Sequence, residues 1–210
     1  MTRYWIFDFD GTLIDSEIAI KECYIKITQD MAPNRIKVAQ NILIGPTLNE
    51  TSTEILGSEY IHLLSKFKRA FQEEYDKETI FKTLIYTNAN TVLKNLFDRG
   101  DKMAIATNKR YSPTHSLIKH YGWNDFFEWV ACINQSPNYK KKPDMLKEIL
   151  AKYPSFQKSF FVGDTVNDGI TANSNNLKFI RAIYGYGGKE DWSSININGD
   201  ITDIIQLLDL

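Results

Sequence analysis

The chain has 210 residues, 43% of them hydrophobic, which is enough to bury the core of one domain, alone or with an inserted second one. The 25 Lys and Arg residues nearly balance the 26 Asp and Glu residues, so there is no basic excess and we expect no nucleic-acid partner. The first acidic residue is Asp8, which interrupts any N-terminal apolar stretch, and no apolar stretch reaches the roughly 18 residues of a transmembrane helix. Two cysteines are too few for a disulfide scaffold. Together these features predict a cytoplasmic protein without membrane segments.

The first predicted element is a strand at residues 4–7, a continuous apolar run of the kind that is buried on both faces of a parallel sheet. Helical periodicity follows from residue 17 to about residue 82. Breaks at Pro33, at Gly45 with Pro46, and at Gly57 divide this region into a first helix before Pro33 and further helices at residues 36–44, 49–56 and 59–75.

From about residue 84, helices alternate with buried strands. Strands are predicted at residues 102–107, 129–133, 159–163 and 177–182, with helices at residues 90–99, 112–121, 143–153 and 167–173. This alternation predicts a parallel sheet joined by right-handed crossovers. The predicted fold class is therefore α/β: a Rossmann-like parallel-sheet core at residues 1–15 and 84–210, with a helical domain at residues 16–83 inserted after strand 1.

Two carboxylates, Asp8 and Asp10, come directly after the first strand. The carboxyl ends of the strands form the edge of an open α/β sheet where ligands bind. Two acids so close repel each other unless a metal ion, a proton or a cationic partner offsets the charge, so their position suggests chemistry. The alternative is an acidic turn in which Asp10 and Gly11 are the turn residues.

Polar residues also end two later strands. Thr107, followed by Asn108, closes the strand at 102–107, while Asp164 follows the strand at 159–163 and Asp168 lies four residues further on. Taken alone, Thr107 with Asn108 is most simply a turn, and Asp164 could equally be a helix cap. Their joint occurrence with the first acidic pair, at the same edge of the predicted sheet, favours a functional site.

The segment Asp8-Phe9-Asp10-Gly11-Thr12 resembles motif I, DxDGT, of the haloacid dehalogenase-like hydrolase superfamily. The strand that ends in Thr107 resembles motif II, a lysine before the helix at 143–153 resembles motif III, and residues 163–168, GDTVND, resemble motif IV. The four motifs stand in the order of the superfamily, and the resemblance covers nearly the whole chain. It implies a Mg²⁺-dependent phosphatase for a small phosphorylated metabolite, with the helical domain as a cap.

The resemblance also implies roles for single residues. Asp8 would be the nucleophile that forms an aspartyl-phosphate, and Asp10 the acid that protonates the leaving group and then the base that deprotonates water. Thr107 and the backbone N–H of Asn108 would hold the phosphoryl oxygens. An acid at residue 10 is typical of the phosphatases and phosphomutases of the superfamily and not of its dehalogenases. The implied Mg²⁺ ligands are Asp8, the carbonyl of Asp10, Asp164 and, through water, Asp168.

The motif III lysine has two candidates, Lys140 and Lys142. The superfamily pattern is often Lys-Pro-x-Pro, whereas residues 140–143, KKKP, offer a single proline. If Pro143 is the second proline, at the first helical position, the catalytic lysine is Lys140 and apolar residues follow at the spacing of a core face. If Pro143 is the first proline, the lysine is Lys142 and two charged residues fall at core positions. The periodicity favours Lys140 and leaves Lys142 open.

Residues 43–50, LIGPTLNE, resemble the IGPPL cap loop of phosphoglycolate phosphatase-like members, which implies substrate contacts from Gly45 and Leu48. The alternative is that Gly45 and Pro46 only form a helix-ending turn. Residues 184–188, YGYGG, also resemble that subgroup. The cap loop carries no Lys or Arg for a substrate carboxylate, which argues against phosphoglycolate itself as the substrate.

Three other functions fit parts of the pattern. A phosphomutase of the β-phosphoglucomutase type shares the DxD core, a phospho-receiver domain also gathers Asp, Thr and Lys on a parallel sheet, and an inactive relative could act as a binding or regulatory protein. Receivers lack a helical insertion after the first strand, and the complete set of acids argues against an inactive protein.

Overall fold

The computed structural model describes residues 2–77 and 79–210. They form two compact units: Ser16–Leu84 is one, and the chain up to Asp15 and from Ile85 onward is the other. Within the described residues, no helix is both long enough and apolar enough to cross a membrane.

The strands, in chain order, are β1 (Tyr4–Phe7), β2 (Ile14–Asp15), β3 (Leu84–Ile85), β4 (Lys102–Thr107), β5 (Phe127–Cys132), β6 (Phe160–Gly163), β7 (Lys178–Ala182) and β8 (Gly199–Ile201). Six of them form one sheet in the order β5-β4-β1-β6-β7-β8, and all of its pairings are parallel. β2 and β3 pair separately. The predicted Rossmann-like α/β class is confirmed.

β1 lies at the centre of the sheet, as its apolar run predicts. Phe7 is opposite Ile105 of β4 on one side and Val162 of β6 on the other. Trp5 and Phe7 are fully buried, and each such side chain contributes about 1.5–3 kcal/mol of burial free energy. A strand that is bonded on both sides holds the residue after it, Asp8, at the carboxyl edge of the sheet.

The Ser16–Leu84 unit contains α1 (Glu17–Met31), α2 (Ile36–Gln40), α3 (Leu48–Tyr60) and α4 (Leu64–Tyr75). Its core includes aromatic contacts between α1 and α4, where the ring of Tyr24 lies 4.2 Å from that of Phe71. The predicted break at Gly57 falls inside α3, where Gly57 has a φ of +57°. Arg35 donates hydrogen bonds to the carbonyls of Ile55 and Glu54 beside this break, at 2.6 and 3.0 Å.

The larger unit contains α5 (Ala89–Asp98), α6 (Tyr111–His120), α7 (Lys142–Lys152) and α8 (Val166–Ser174), which alternate with the strands. Most bounds differ from the predictions by one or two residues, the usual disagreement at helix and strand ends. The sequence does not predict β8, because its three residues include Gly199 and Asp200 and form no apolar run. β8 is added at the edge by pairing with β7, with Ile180 opposite Gly199.

Candidate active site

Three polar side chains come together where neighbouring parallel strands end. Asp8 follows β1, Thr107 is the last residue of β4, and Asp164 follows β6. All three are almost fully buried, and the N–H of Asp8 donates to the carbonyl of Val162 at 2.8 Å, which continues the pairing of β1 with β6 past the strand end. The sheet order therefore places these residues at one edge, as the sequence predicts.

Asp8, Asp164 and Asp168 form a buried carboxylate cluster. Each offers an oxygen, and these oxygens lie within 4.8 Å of one another. Burial, followed by the negative charge of Asp168, raises the pKa of Asp8 to about 7. Burial and the charges of Asp168 and Asp8 raise the pKa of Asp164 well above its usual range. The carboxylates destabilise one another in their ionised forms, which is the condition that a bound cation would relieve.

Lys142 lies inside this cluster. Its Nζ is 2.7 Å from Oδ1 of Asp8 and 2.6 Å from Oδ1 of Asp168, and its side chain is 2% exposed. Burial acts to lower the pKa of Lys142, but the charges of Asp168 and Asp8 outweigh that effect and the pKa is raised. Lys142 is therefore a permanent cation beside Asp8.

The structure does not support the preference for Lys140, which is exposed at the surface, over Lys142. The proline argument placed Pro143 first in its helix, but α7 begins at Lys142 and Pro143 is the second residue. The predicted core face is nevertheless present, since Leu146 and Leu150 are buried. The periodicity located the core side of α7 correctly, but it did not indicate which lysine at the start of the helix contacts Asp8.

Asp168 makes contacts with both of its carboxylate oxygens. Oδ2 accepts hydrogen bonds from the N–H and the hydroxyl of Thr165, at 3.0 and 2.6 Å, and closes a capping box at the start of α8. Oδ1 contacts Lys142. The helix cap expected as the alternative at Asp164 is thus made by Thr165. Asp168 connects the beginning of α8 to the lysine at the beginning of α7.

Asp164 is held by residues from two other loops. The hydroxyl of Thr12 donates to its Oδ1 at 3.1 Å, and the backbone N–H of Tyr186 donates to its Oδ2 at 2.7 Å. Tyr184 donates its hydroxyl to the carbonyl of Thr12 at 2.8 Å, and Tyr186 donates its hydroxyl to Oδ1 of Asp15 at 2.9 Å. The loop after β7 therefore supports both Asp164 and the loop after β1, and residue spacing gives no signal of this beyond the YGYGG resemblance.

Gly11, in the loop after β1, and Gly185, in the loop after β7, allow these two loops to pack closely against Asp164. Gly11 has a φ of +86°, and a Cβ added there would lie 2.2 Å from Oδ2 of Asp164. A Cβ added at Gly185 would lie 2.4 Å from the carbonyl oxygen of Gly11. Neither position has room for a side chain.

We expect Gly11→Ala to lower the melting temperature by about 5–10 °C, because it combines backbone strain with a clash against a buried carboxylate. The matched control is Gly188→Ala, since a Cβ at that exposed glycine would meet no atom within 4 Å. Thermal unfolding followed by circular dichroism compares the two variants. Equal melting temperatures for both would show that the loop after β1 can move away from Asp164.

The second acid of motif I has its own cationic partner. Oδ1 of Asp10 lies 2.9 Å from Nζ of Lys109, and both side chains are almost fully buried. The backbone N–H of Lys109 donates to the hydroxyl of Thr107 at 3.0 Å, which holds the start of this loop against the end of β4. The motifs assign no role to Lys109, which lies two residues after the threonine of motif II.

The remaining predicted contacts lie elsewhere. Asn108 is half-buried between Thr107 and Lys109. Gly45 and Leu48 belong to the Ser16–Leu84 unit, where Gly45 has a φ of +122° and Leu48 is the first residue of α3. Their contact with a substrate stays a prediction.

Charge and chemistry suit this site to a divalent cation. Four carboxylates, those of Asp8, Asp10, Asp164 and Asp168, stand against the two lysines Lys109 and Lys142, which leaves a formal excess of two negative charges. The available donors are all oxygens, the ligand type that hard cations prefer.

Comparison with known proteins agrees with this arrangement. The profile of the haloacid dehalogenase-like hydrolase family matches residues 5–182, most of the chain. The chain belongs to that family. Among solved structures, a haloacid dehalogenase-like hydrolase from Bacteroides fragilis superposes with a TM-score of 0.85 over 99% of this chain and 100% of that one, at 21% identity, which supports the shared fold.

Two relatives of this haloacid dehalogenase-like hydrolase carry different enzyme names. A phosphoglycolate phosphatase from Psychrobacter arcticus is 29% identical over 97% of this chain and 93% of its own length. A pyrophosphatase PpaX from Listeria monocytogenes is 29% identical over 81% of this chain and 77% of its own length. The family predicted from the four motifs is confirmed.

Proposed function

We propose that this hydrolase is a Mg²⁺-dependent phosphatase that hydrolyses a small phosphate monoester through an aspartyl-phosphate. The observation that carries the proposal is the buried cluster of Asp8, Asp164 and Asp168, with Lys142 in contact with Asp8. The names of the relatives, phosphoglycolate phosphatase and pyrophosphatase, support phosphate as the group that is transferred.

Hydrolysis by these residues takes two displacements. An oxygen of Asp8 attacks phosphorus, and the ester oxygen leaves with a proton from Asp10. A water molecule then gives its proton to Asp10 and attacks the same phosphorus, which releases inorganic phosphate and regenerates Asp8. Lys142 and the hydroxyl of Thr107, with the N–H of Asn108, hold the phosphoryl oxygens, whose negative charge needs donors in the transition state.

The residues that would hold Mg²⁺, as the family resemblance implies, are Asp8 and Asp164 through their carboxylates and Asp10 through its carbonyl, with Asp168 in a supporting role. When bound, Mg²⁺ supplies positive charge to the phosphoryl oxygens. The cation would also relieve the carboxylate repulsion that raises the pKa of Asp8 and Asp164.

The helical unit, residues 16–84, would serve as the cap that selects the substrate, and Gly45 and Leu48 would contact that substrate. Two substrate classes are supported. Phosphoglycolate follows from one group of relatives, and inorganic pyrophosphate from the other. The absence of Lys and Arg from residues 43–50 argues against a second anionic group on the substrate, and so favours the phosphate ester of an uncharged alcohol over phosphoglycolate and pyrophosphate.

The test is release of inorganic phosphate from a panel of substrates with Mg²⁺ and with EDTA. The panel contains phosphoglycolate, pyrophosphate, nucleoside monophosphates, sugar phosphates and 4-nitrophenyl phosphate. We expect turnover with Mg²⁺ only, and the rank order of kcat/KM identifies the substrate class. Folded protein that turns over no member of the panel in Mg²⁺ would contradict the proposal, and conversion of one sugar phosphate isomer to another would replace it with a phosphomutase.

A further inference from the structure

The two lysines at the carboxyl edge of the sheet have different carboxylate partners. Lys142 contacts Asp8 and Asp168, whereas Lys109 contacts Asp10 at 2.9 Å. We propose that Lys109 is a positioning residue that holds the Asp10 carboxylate in place for proton transfer. The proposal rests on the function proposed above, in which Asp10 is the acid and base.

Burial distinguishes this contact from a surface ion pair. The side chains of Lys109 and Asp10 are 6% and 11% exposed, whereas those of the surface pair Lys102 and Glu128 on the same sheet are 47% and 45% exposed. Exposed pairs contribute little to the positions of their side chains, because solvent screens them. A buried pair resists separation, because removal of one partner leaves the other as an uncompensated charge.

The backbone around Lys109 is also fixed. Its N–H donates to the hydroxyl of Thr107, and Thr107 is the last residue of the buried strand β4, opposite Cys132 of β5. Asp10 belongs to the loop after β1, the neighbour of β4 in the sheet. The ion pair therefore connects the ends of two adjacent central strands, and the position of Asp10 depends on β4 as well as on its own loop.

The carboxylate of Asp10 can rotate about its own side-chain bonds unless something holds it. A general acid works only within hydrogen-bonding reach of the leaving oxygen, so a rotated carboxylate lowers the rate without changing substrate binding. Loss of Lys109 should consequently affect poor leaving groups, which need a proton, more than good ones.

The experiment is a double-mutant cycle with Lys109→Met and Asp10→Asn in saturating Mg²⁺, using phenyl phosphate and 4-nitrophenyl phosphate, two esters of similar size. We expect Lys109→Met to lower kcat/KM for phenyl phosphate about 10- to 100-fold and for 4-nitrophenyl phosphate by less than about threefold. It should cause no further loss in the Asp10→Asn background. Lys109→Arg should recover most of the rate, and Lys102→Met, which removes the surface pair, should match the wild type.

Equal losses for both esters, or a full further loss in the Asp10→Asn background, would overturn the proposal. If the wild type hydrolyses neither ester, its turnover of the wider substrate panel decides the phosphatase proposal, and the melting temperatures of the four proteins of the cycle test whether Lys109 holds Asp10. A double variant that loses less than the sum of the single losses would show that Lys109 and Asp10 hold each other. Additive losses would overturn that conclusion.

Discussion

Replacement of Asp8 by Asn is expected to abolish ester hydrolysis, with kcat reduced at least about 10⁴-fold, because the proposed nucleophile of the first displacement is lost. The fold should survive. The pKa of Asp8 is raised to about 7 from an ordinary value of 3.8, so the folded protein disfavours the ionised form. The contribution of Asp8 to the free energy of unfolding therefore falls as the pH rises from about 4 through about 7.

A neutral Asn removes this penalty, so at pH 8 without Mg²⁺ the variant should melt at the same temperature as the wild type or higher. The direct readout is covalent: rapid acid quenching should trap a phosphorylated wild-type protein, detected by intact-mass analysis, and no such species in Asp8→Asn. The control is Asp98→Asn, which changes an exposed carboxylate paired with Lys94. Phosphorylated Asp8→Asn protein would place the nucleophile elsewhere.

Replacement of Lys142 by Met should damage both activity and stability, whereas replacement of Lys140 by Met should change neither. Lys142 is buried between Asp8 and Asp168, and the removal of one partner of a buried ion pair costs about 3–5 kcal/mol of unfolding free energy. Activity should fall at least about 10³-fold, because the donor to the phosphoryl oxygens is lost along with the placement of Asp8.

Urea unfolding and initial rates in Mg²⁺ measure the two effects. Lys142→Arg separates them, because it keeps a positive charge but cannot fit the compact ammonium position without displacing a carboxylate. We expect it to recover part of the stability and little of the activity. A larger activity loss in Lys140→Met than in Lys142→Met would show that Lys140 is the motif III lysine, as the proline pattern favours.

Much of the fold is predictable because segments with helical periodicity and segments with a continuous apolar run occupy different parts of the chain. Continuous apolar runs such as residues 4–7 and 103–106 become central strands, and β1 and β4 have the predicted bounds. The order of the strands in the sheet follows less directly, since the short edge strand β8 carries no apolar run. The positions of Asp8, Thr107 and Asp164 follow from strand ends alone, because parallel strands end at one edge.

The side-chain contacts of the site are harder to predict, because they join residues far apart in the chain. The ion pair of Lys109 with Asp10 spans 99 positions, and the hydrogen bond of Tyr184 to Thr12 spans 172. No periodicity encodes such pairs. The choice between Lys140 and Lys142 is difficult for a related reason. It depends on whether Pro143 is the first or the second proline of the Lys-Pro-x-Pro pattern, whereas the contact of Lys142 with Asp8 joins residues far apart in the chain.

The central place of β1 has a consequence for the order in which the chain folds during synthesis. Tyr4 pairs with Lys102 and Trp5 with Phe160, so β1 is synthesised well before either of the strands that pair with it. The segment Ser16–Leu84 is continuous and has already emerged by then. Until β4 appears, the nascent chain presents an unpaired apolar strand, and this interval is when aggregation or chaperone binding is most expected.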